Sequence, residues 1–328
     1  MSIAIVGDGV RCFKCGRQAA VRVRYARMNL CRDHFAEYVE MRVARVAERH
    51  NMFDGIRKLI IALSGGKDST SLAHIIMRHR DAFRIKEIYG LHLDLGIDGF
   101  SEESSHVVRK VCRELNLKCF VLPLRDLIGY SLPELIRISR RPPCSLCGML
   151  KRYLINVVSV ELDADAVALG HHMDDLLVFA LKDFLVQGNF RMIKLSPVTL
   201  GIKGVMAAKL RILHETCEDD IILYANIRGI EYVRSPCPYK YVDNFKAVIR
   251  EMLDKLEASS PGFKISLMRR LIKVADVKAE GEVIRCKYCG MPSSSGTCSF
   301  CKFTERSLGK PLGYDVRSRV RDLIRSLS

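Results

Sequence analysis

Between residues 51 and 245, short apolar runs alternate with segments of helical periodicity. The run at 59–63 (Leu-Ile-Ile-Ala-Leu) is closed by Ser64-Gly65-Gly66, and 71–78 then carries apolar residues at helical spacing. Residues 88–93 predict a second strand, 104–115 a helix, 118–122 a third strand, and 166–169, just before Gly170, a fourth. Strands alternating with helices predict an α/β domain built on a parallel sheet. Residues 245–280 predict helix, with Phe245, Val248, Ile249, Met252, Leu253 and Leu256 on one stripe suited to helix packing. Three regions follow: an N-terminal module with a linker helix over 1–50, the α/β domain over 51–245, and a helical segment with a second small module over 246–328. No apolar run approaches the roughly 20 residues that span a bilayer. The apolar start, 1–10, is too short for a signal peptide and lacks its basic residues. The expected compartment is the cytoplasm, without membrane attachment.

In that compartment the 13 cysteines point to metal or reactive thiolates rather than a disulfide framework. Cys12-x2-Cys15 and Cys31-x2-His34 supply three thiolates and an imidazole; Cys286-x2-Cys289 and Cys298-x2-Cys301 supply four thiolates. Two-residue gaps let both ligands of a knuckle reach one ion, and four such ligands close a tetrahedral zinc site, so two structural zinc ions are expected. Gly16 and Gly290 follow the second cysteine of a knuckle, where a tight turn favours a residue without Cβ. Cys112, Cys119 and Cys217 have no such company and read as small buried apolar residues. The formal charge of +16 predicts a polyanionic partner. Basic residues crowd both clusters, among them Arg11, Lys14, Arg17, Arg22, Arg24 and Arg27 at the first and Arg285, Lys287, Lys302 and Arg306 at the second. They favour contact with nucleic-acid phosphates over a merely solvated face.

The sharpest chemistry lies in 62–70, where Ala62 and Leu63 end a strand and Ser64-Gly65-Gly66-Lys67-Asp68-Ser69-Thr70 opens a helix. Glycines let the backbone approach an anion, and the N–H groups of the turn and first helical turn point at it. Ser64 and Ser69 add hydroxyls, Lys67 adds charge, and Asp68 is placed to hold magnesium on the phosphates. The spacing is not that of a Walker A loop. The loop resembles the PP-loop of the ATP pyrophosphatases, which split ATP between the α and β phosphates. His92-Leu93-Asp94, with Gly96 and Ile97, is similar to that family's second-strand motif, and Gly170-His171-His172-Met173-Asp174-Asp175 to its Gly-His-Asn-x-Asp-Asp motif, with His172 where Asn is usual.

Within the superfamily, the terminal clusters, Cys144-x2-Cys147 and the later Cys237 resemble the tRNA 2-thiolation enzymes of the TtuA and Ncs6-like branch, related to TtcA. On residues alone, this three-cysteine set allows an iron–sulfur cluster, a persulfide relay or a third zinc site. The resemblance implies a [4Fe-4S] cluster on Cys144, Cys147 and Cys237, with one iron free. It also implies catalytic roles for Lys151 and Asp175, and binding of ATP by Ala62, Ser64, Gly65, Gly66, Lys67, Asp68, Ser69, His92, Lys151, Gly170 and Asp175. The implied reaction is ATP-dependent exchange of the 2-oxygen of a tRNA uridine for sulfur, at position 54 of the T-loop, with wobble position 34 as the alternative. A ubiquitin-like protein thiocarboxylate or sulfide would be the donor, and the enzyme a homodimer. A PP-loop enzyme for a small molecule is the competing class, but such a substrate needs neither the terminal clusters nor the charge.

Overall fold

The computed structural model describes residues 2–188, 195–241, 243–275 and 283–327. The chain opens with a three-stranded antiparallel sheet, β1 (Ile3–Ile5), β2 (Val21–Val23) and β3 (Met28–Leu30), and the long helix α1 (Arg32–Arg49). The α/β part follows: β4 (Lys58–Ala62), α2 (Lys67–Arg78), β5 (Glu87–Asp94), α3 (Phe100–Glu114), β6 (Lys118–Pro123), α4 (Leu124–Ile128), α5 (Leu132–Ser139), α6 (Pro143–Glu161), β7 (Ala166–Ala168), α7 (Met173–Gln187), β8 (Val198–Thr199), β9 (Ala208–Leu210) and α8 (Glu218–Arg228). Two helices, α9 (Asn244–Ser259) and α10 (Phe263–Ala275), lead to the hairpin β10 (Ile284–Arg285) and β11 (Pro292–Ser293), then α11 (Ser299–Leu308) and α12 (Gly313–Leu327).

The central sheet has the order β6-β5-β4-β7-β9-β8. All its pairs are parallel except β8–β9, which is antiparallel. The four predicted strands are β4 to β7, which lie side by side from the β6 edge. Leu59, Ile60, Ile61, Ala166 and Ala168 are wholly buried because helices cover both faces, which is why these strands read as continuous apolar runs. The terminal modules have no cores of their own among the described residues. Val21, Phe35 and Val43 share one apolar cluster with Leu59, Ile61 and Leu72, and the C-terminal Cys286, Phe300 and Val316 share another with Ile60, Leu150 and Leu154. Tyr153 of α6 stacks on Phe300 of α11 at 3.9 Å between ring centroids. No helix among the described residues is long and apolar enough to cross a membrane.

Two expectations are corrected. Cys112 and Cys119 are not isolated thiols but a disulfide joining α3 to β6. The stripe on 245–280 is not a single packing face. Ile249 and Leu253 are buried, but Phe245, Val248, Met252 and Leu256 are 44, 66, 43 and 38% exposed, because α7 and α10 cover only one side of α9. The predicted helix is also two helices, broken at Ser260-Pro261-Gly262, and its stretch 276–280 lies outside the described residues.

Gly90, in the middle of β5, lies against the disulfide: a Cβ there would fall 2.2 Å from Cys119 Sγ and 2.9 Å from Leu63 Cδ1. Replacing Gly90 with Ala should therefore destabilise the fold by about 1–3 kcal/mol, the usual cost of overpacking. Chemical denaturation measures this, and an unchanged midpoint would contradict the packing described.

Candidate functional site

The sheet runs outward from β4 in both directions, to β5 and β6 on one side and to β7 and β9 on the other. Such a reversal opens a crevice at the carboxyl ends of the strands, the usual ligand site of an open parallel sheet. Both predicted loops meet there. Gly65 adopts φ +82°, a left-handed conformation that favours glycine, with its ideal Cβ position 3.2 Å from Ser104 O and from Val233 Cγ2. Ser69 is buried, and its hydroxyl braces the loop, accepting from Ser64 N at 3.1 Å and donating to Gly66 O at 3.0 Å. The loop leads straight into the N-terminus of α2, where an anion is favoured. Gly170, after β7, is the counterpart on the other side of the reversal: its ideal Cβ would lie 3.0 Å from Ser69 N and 3.2 Å from Asp68 C.

This approach closes a ring of charged groups. Lys67 Nζ lies 2.8 Å from Glu218 and 3.3 Å from Asp68. Glu218 pairs with Arg250, which lies 2.6 Å from Asp175; Asp175 lies 3.3 Å from His172 Nε2, and His172 Nε2 lies 4.0 Å from Asp68. Asp174 stands behind the ring, accepting from Glu218 N at 2.7 Å and from buried Lys264. Burial opposes charge on His172, but Asp174, Asp175 and Asp68 outweigh it and raise its pKa above the ordinary histidine value. Burial pushes the Asp68 carboxyl up despite His172 and Lys67, and its buried Oδ1 has no hydrogen-bond partner. An orphaned carboxylate oxygen beside a phosphate loop fits a divalent cation such as magnesium. Glu218 and Arg250 belong to no motif and went unseen in the sequence.

Beside the ring, Ala62, Leu63, Ser64, His92, Lys151 and Ile155 line a cavity of about 90 Å³. Buried His92 is held by Leu63 O, 2.8 Å from Nδ1, and its Nε2 has no hydrogen-bond partner. Lys151 is one helical turn after Cys147 on α6, so one side chain faces both the cavity and that thiol. Burial raises the Cys147 pKa, with Lys151 opposing. Cys144 Sγ reaches Tyr239 O at 3.4 Å, and Val233 N donates to Gly65 O at 2.9 Å. The loop carrying Cys237 is thus pinned to the phosphate loop at one end and to the Cys144 turn at the other.

Three groups of ligand atoms converge within 4.8 Å among the described residues. Cys12, Cys15, Cys31 and His34 form one, with Cys15 and Cys31 sulfurs 3.9 Å apart; Cys286, Cys289, Cys298 and Cys301 form another, with Cys289 and Cys298 sulfurs 3.7 Å apart. Sulfurs bound to one zinc at about 2.3 Å stand about 3.8 Å apart in a tetrahedron, so both sets fit that ion. Gly16 and Gly290, at φ +70° and +71°, make the expected turns. The third group, His50, His214 and Glu215, is a poor cation site because Arg49 and Arg269 already engage the carboxylate. Cys144, Cys147 and Cys237 are not among the groups this tight. Three thiolates from two separate segments of chain can each take a different iron of one cluster and leave the fourth without a protein ligand.

A phosphate loop between a parallel strand and a helix, at the reversal of strand order, defines a nucleotide-binding α/β protein of the PP-loop class. A family profile described as a PP-loop domain matches residues 36–236, and one described as the N-terminal LIM domain of 2-thiouridine synthetase TtuA matches 11–36. The chain is 33% identical to the tRNA-5-methyluridine(54) 2-sulfurtransferase of Pyrococcus horikoshii, over 94% of this chain and 97% of that protein. It is 32% identical to the protein of the same name from Thermus thermophilus, over 89 and 90%. Its fold is similar to the U34-tRNA thiolase NcsA of Methanococcus maripaludis, solved with its [4Fe-4S] cluster: TM-score 0.77, 25% identity, covering 92% of this chain and 97% of that one. The chain belongs to the PP-loop family of tRNA 2-thiolation enzymes, in its TtuA branch.

Because Gly170 admits the backbone of Asp68 and Ser69, Gly170→Ala should weaken ATP binding by about tenfold or more, roughly 1.4 kcal/mol. Calorimetric titration with Mg-ATP reads this, and wild-type affinity in the variant would show that the close approach does not shape the site.

Proposed function

We propose that this chain is an ATP-dependent tRNA-uridine 2-sulfurtransferase acting at position 54. The observation that carries the reading is Lys151, which faces both the nucleotide cavity and the thiol of Cys147. Position 54 is favoured over 34 because the relatives named for position 54 are 33 and 32% identical, against 25% for the U34-tRNA thiolase NcsA of Methanococcus maripaludis. A small-molecule PP-loop enzyme would leave the two convergent four-ligand clusters and the +16 charge without a use.

In this mechanism the loop 64–69 takes the β and γ phosphates, which displace Glu218 from Lys67, while Asp68 with its free Oδ1 would hold magnesium on them. Uridine O2 attacks the α-phosphorus and pyrophosphate leaves. The negative charge that develops there is met by Lys67, Lys151 and the N-terminus of α2. Asp175, 55% exposed at the mouth of the site, orients the base or accepts a proton. Adenylation turns the 2-oxygen into part of a good leaving group, so a sulfur nucleophile attacking C2 releases AMP. Cys144, Cys147 and Cys237 would hold a [4Fe-4S] cluster, which when bound supplies an iron without a protein ligand as a site for sulfur.

Two zinc ions at the terminal clusters, and the three-part division at 50 and 245, complete the reading. The exposed apolar stripe on α9 is compatible with a homodimer contact, and the sulfur donor in this reading is sulfide or a ubiquitin-like thiocarboxylate. The compartment that follows from a tRNA substrate is the cytoplasm.

Replacing Cys237 with Ser, in a deletion strain carrying the variant, should reduce the 2-thiolated nucleoside at position 54 by about 100-fold or more, while zinc content stays unchanged. Mass spectrometry of tRNA digests and metal analysis read the two. Full thiolation in the variant would remove Cys237 from the chemistry, and loss at position 34 instead would reassign the target.

A further inference from the structure

Two adjoining cavities of about 540 and 250 Å³ open between α1 and α10 and share Tyr38, Arg42 and Arg269. From α1 come Arg42, Arg45 and Arg49, and from α10 come Arg269, Arg270 and Lys273. Spacings of three and four residues put the α1 arginines on one face over about 10 Å. The groove is built rather than incidental. Glu215, almost fully buried, accepts from Arg269 at 2.7 Å and Arg49 at 3.2 Å, and its carbonyl accepts from Arg42 at 2.5 Å. Arg42 also donates to Tyr25 Oη at 2.6 Å, lies over that ring at 4.5 Å, and sits 3.4 Å from buried Asp220. Two buried carboxylates thus fix three guanidiniums, and a strong positive excess remains. Arg45, Arg270 and Lys273 are exposed and have no ion-pair partner among the described residues. None of the groove's residues lines the nucleotide cavity.

We propose that this groove binds the phosphate backbone of the tRNA, at a site separate from that of ATP. The proposal rests on the tRNA reading above. A concave, elongated cationic surface concentrates its field on a chain of phosphates, and release of their counterions drives binding. A membrane surface suits it less. Met268 and Leu271 of α10 are buried, and Val274 is the only large apolar side chain that this helix exposes among the described residues, so it lacks the apolar face by which interfacial helices insert.

The test is binding of unmodified tRNA transcript to the full-length protein between about 50 and 200 mM salt, for the wild type and the triple variant Arg45→Ala, Arg270→Ala, Lys273→Ala. The three side chains are exposed and pair with no carboxylate among the described residues, so their loss orphans no buried charge there, and the thermal midpoint serves as the control for folding. The expected result is an affinity lower by about 10- to 100-fold and a log–log salt slope shallower by about 2 to 3. Wild-type affinity and slope in the folded variant overturn the groove and leave the sulfurtransferase reading intact. A wild type that fails to bind tRNA sinks that reading itself. Binding to phosphatidylserine vesicles that the triple variant loses while keeping its tRNA affinity overturns the proposal and assigns the groove to lipid headgroups.

Discussion

The close approach of the backbone at Gly170 to that at Asp68 and Ser69 is the constraint on which the site depends. It brings two carboxylates, Asp68 and Asp175, to one histidine, and it lets Lys67, Glu218 and Arg250 complete the ring of charges. Charges held together with partial exclusion of water stabilise only while each keeps a partner. Without nucleotide the partners are supplied by the protein. The phosphates of ATP would offer Lys67 a stronger partner than Glu218, freeing Glu218 and with it the hold on Arg250 and Asp175. On the proposed mechanism, binding of the nucleotide would thereby be coupled to the positioning of Asp175 through two residues that need touch neither substrate.

The same network reaches the far side of α10. Lys264 at its start holds Asp174 behind the ring, and Arg269 further along holds Glu215, three residues before Glu218. The segment from Glu215 to Asp220 therefore has one carboxylate at the phosphate loop and two at the cationic groove. With the N-terminal helix packed on α8 and the C-terminal helices packed on α6, the terminal modules act as fixed walls of the α/β unit.

Much of this was legible in the chain because it is local. Short apolar runs located β4 to β7, two of them with glycine close behind at Gly65 and Gly170, and the loop after 63 disclosed its own chemistry through Gly65, Gly66, Lys67 and Asp68. Knuckle spacing located both four-ligand clusters for the same reason. The rest depended on tertiary packing. Strands of two and three residues, β8 and β9, are too short to show a period. Helical periodicity on α9 correctly gave a helix but not which of its apolar residues a neighbour covers. The Cys112–Cys119 bridge joins a helix to the strand after it, and nothing in their spacing announces that those thiols face each other. Glu218 and Arg250 carry no motif, since their importance comes only from where α8 and α9 end up beside the phosphate loop.

The central claim is that nucleotide cleavage and sulfur insertion occur at one site on a tRNA substrate. It is tested most directly by single-turnover reaction of anaerobically prepared, cluster-loaded protein with α-labelled ATP, sulfide and tRNA lacking the modification. The account predicts pyrophosphate release only when tRNA is present, with one AMP formed for each uridine thiolated at position 54. Equal pyrophosphate release without tRNA, or thiolation without AMP, would contradict it.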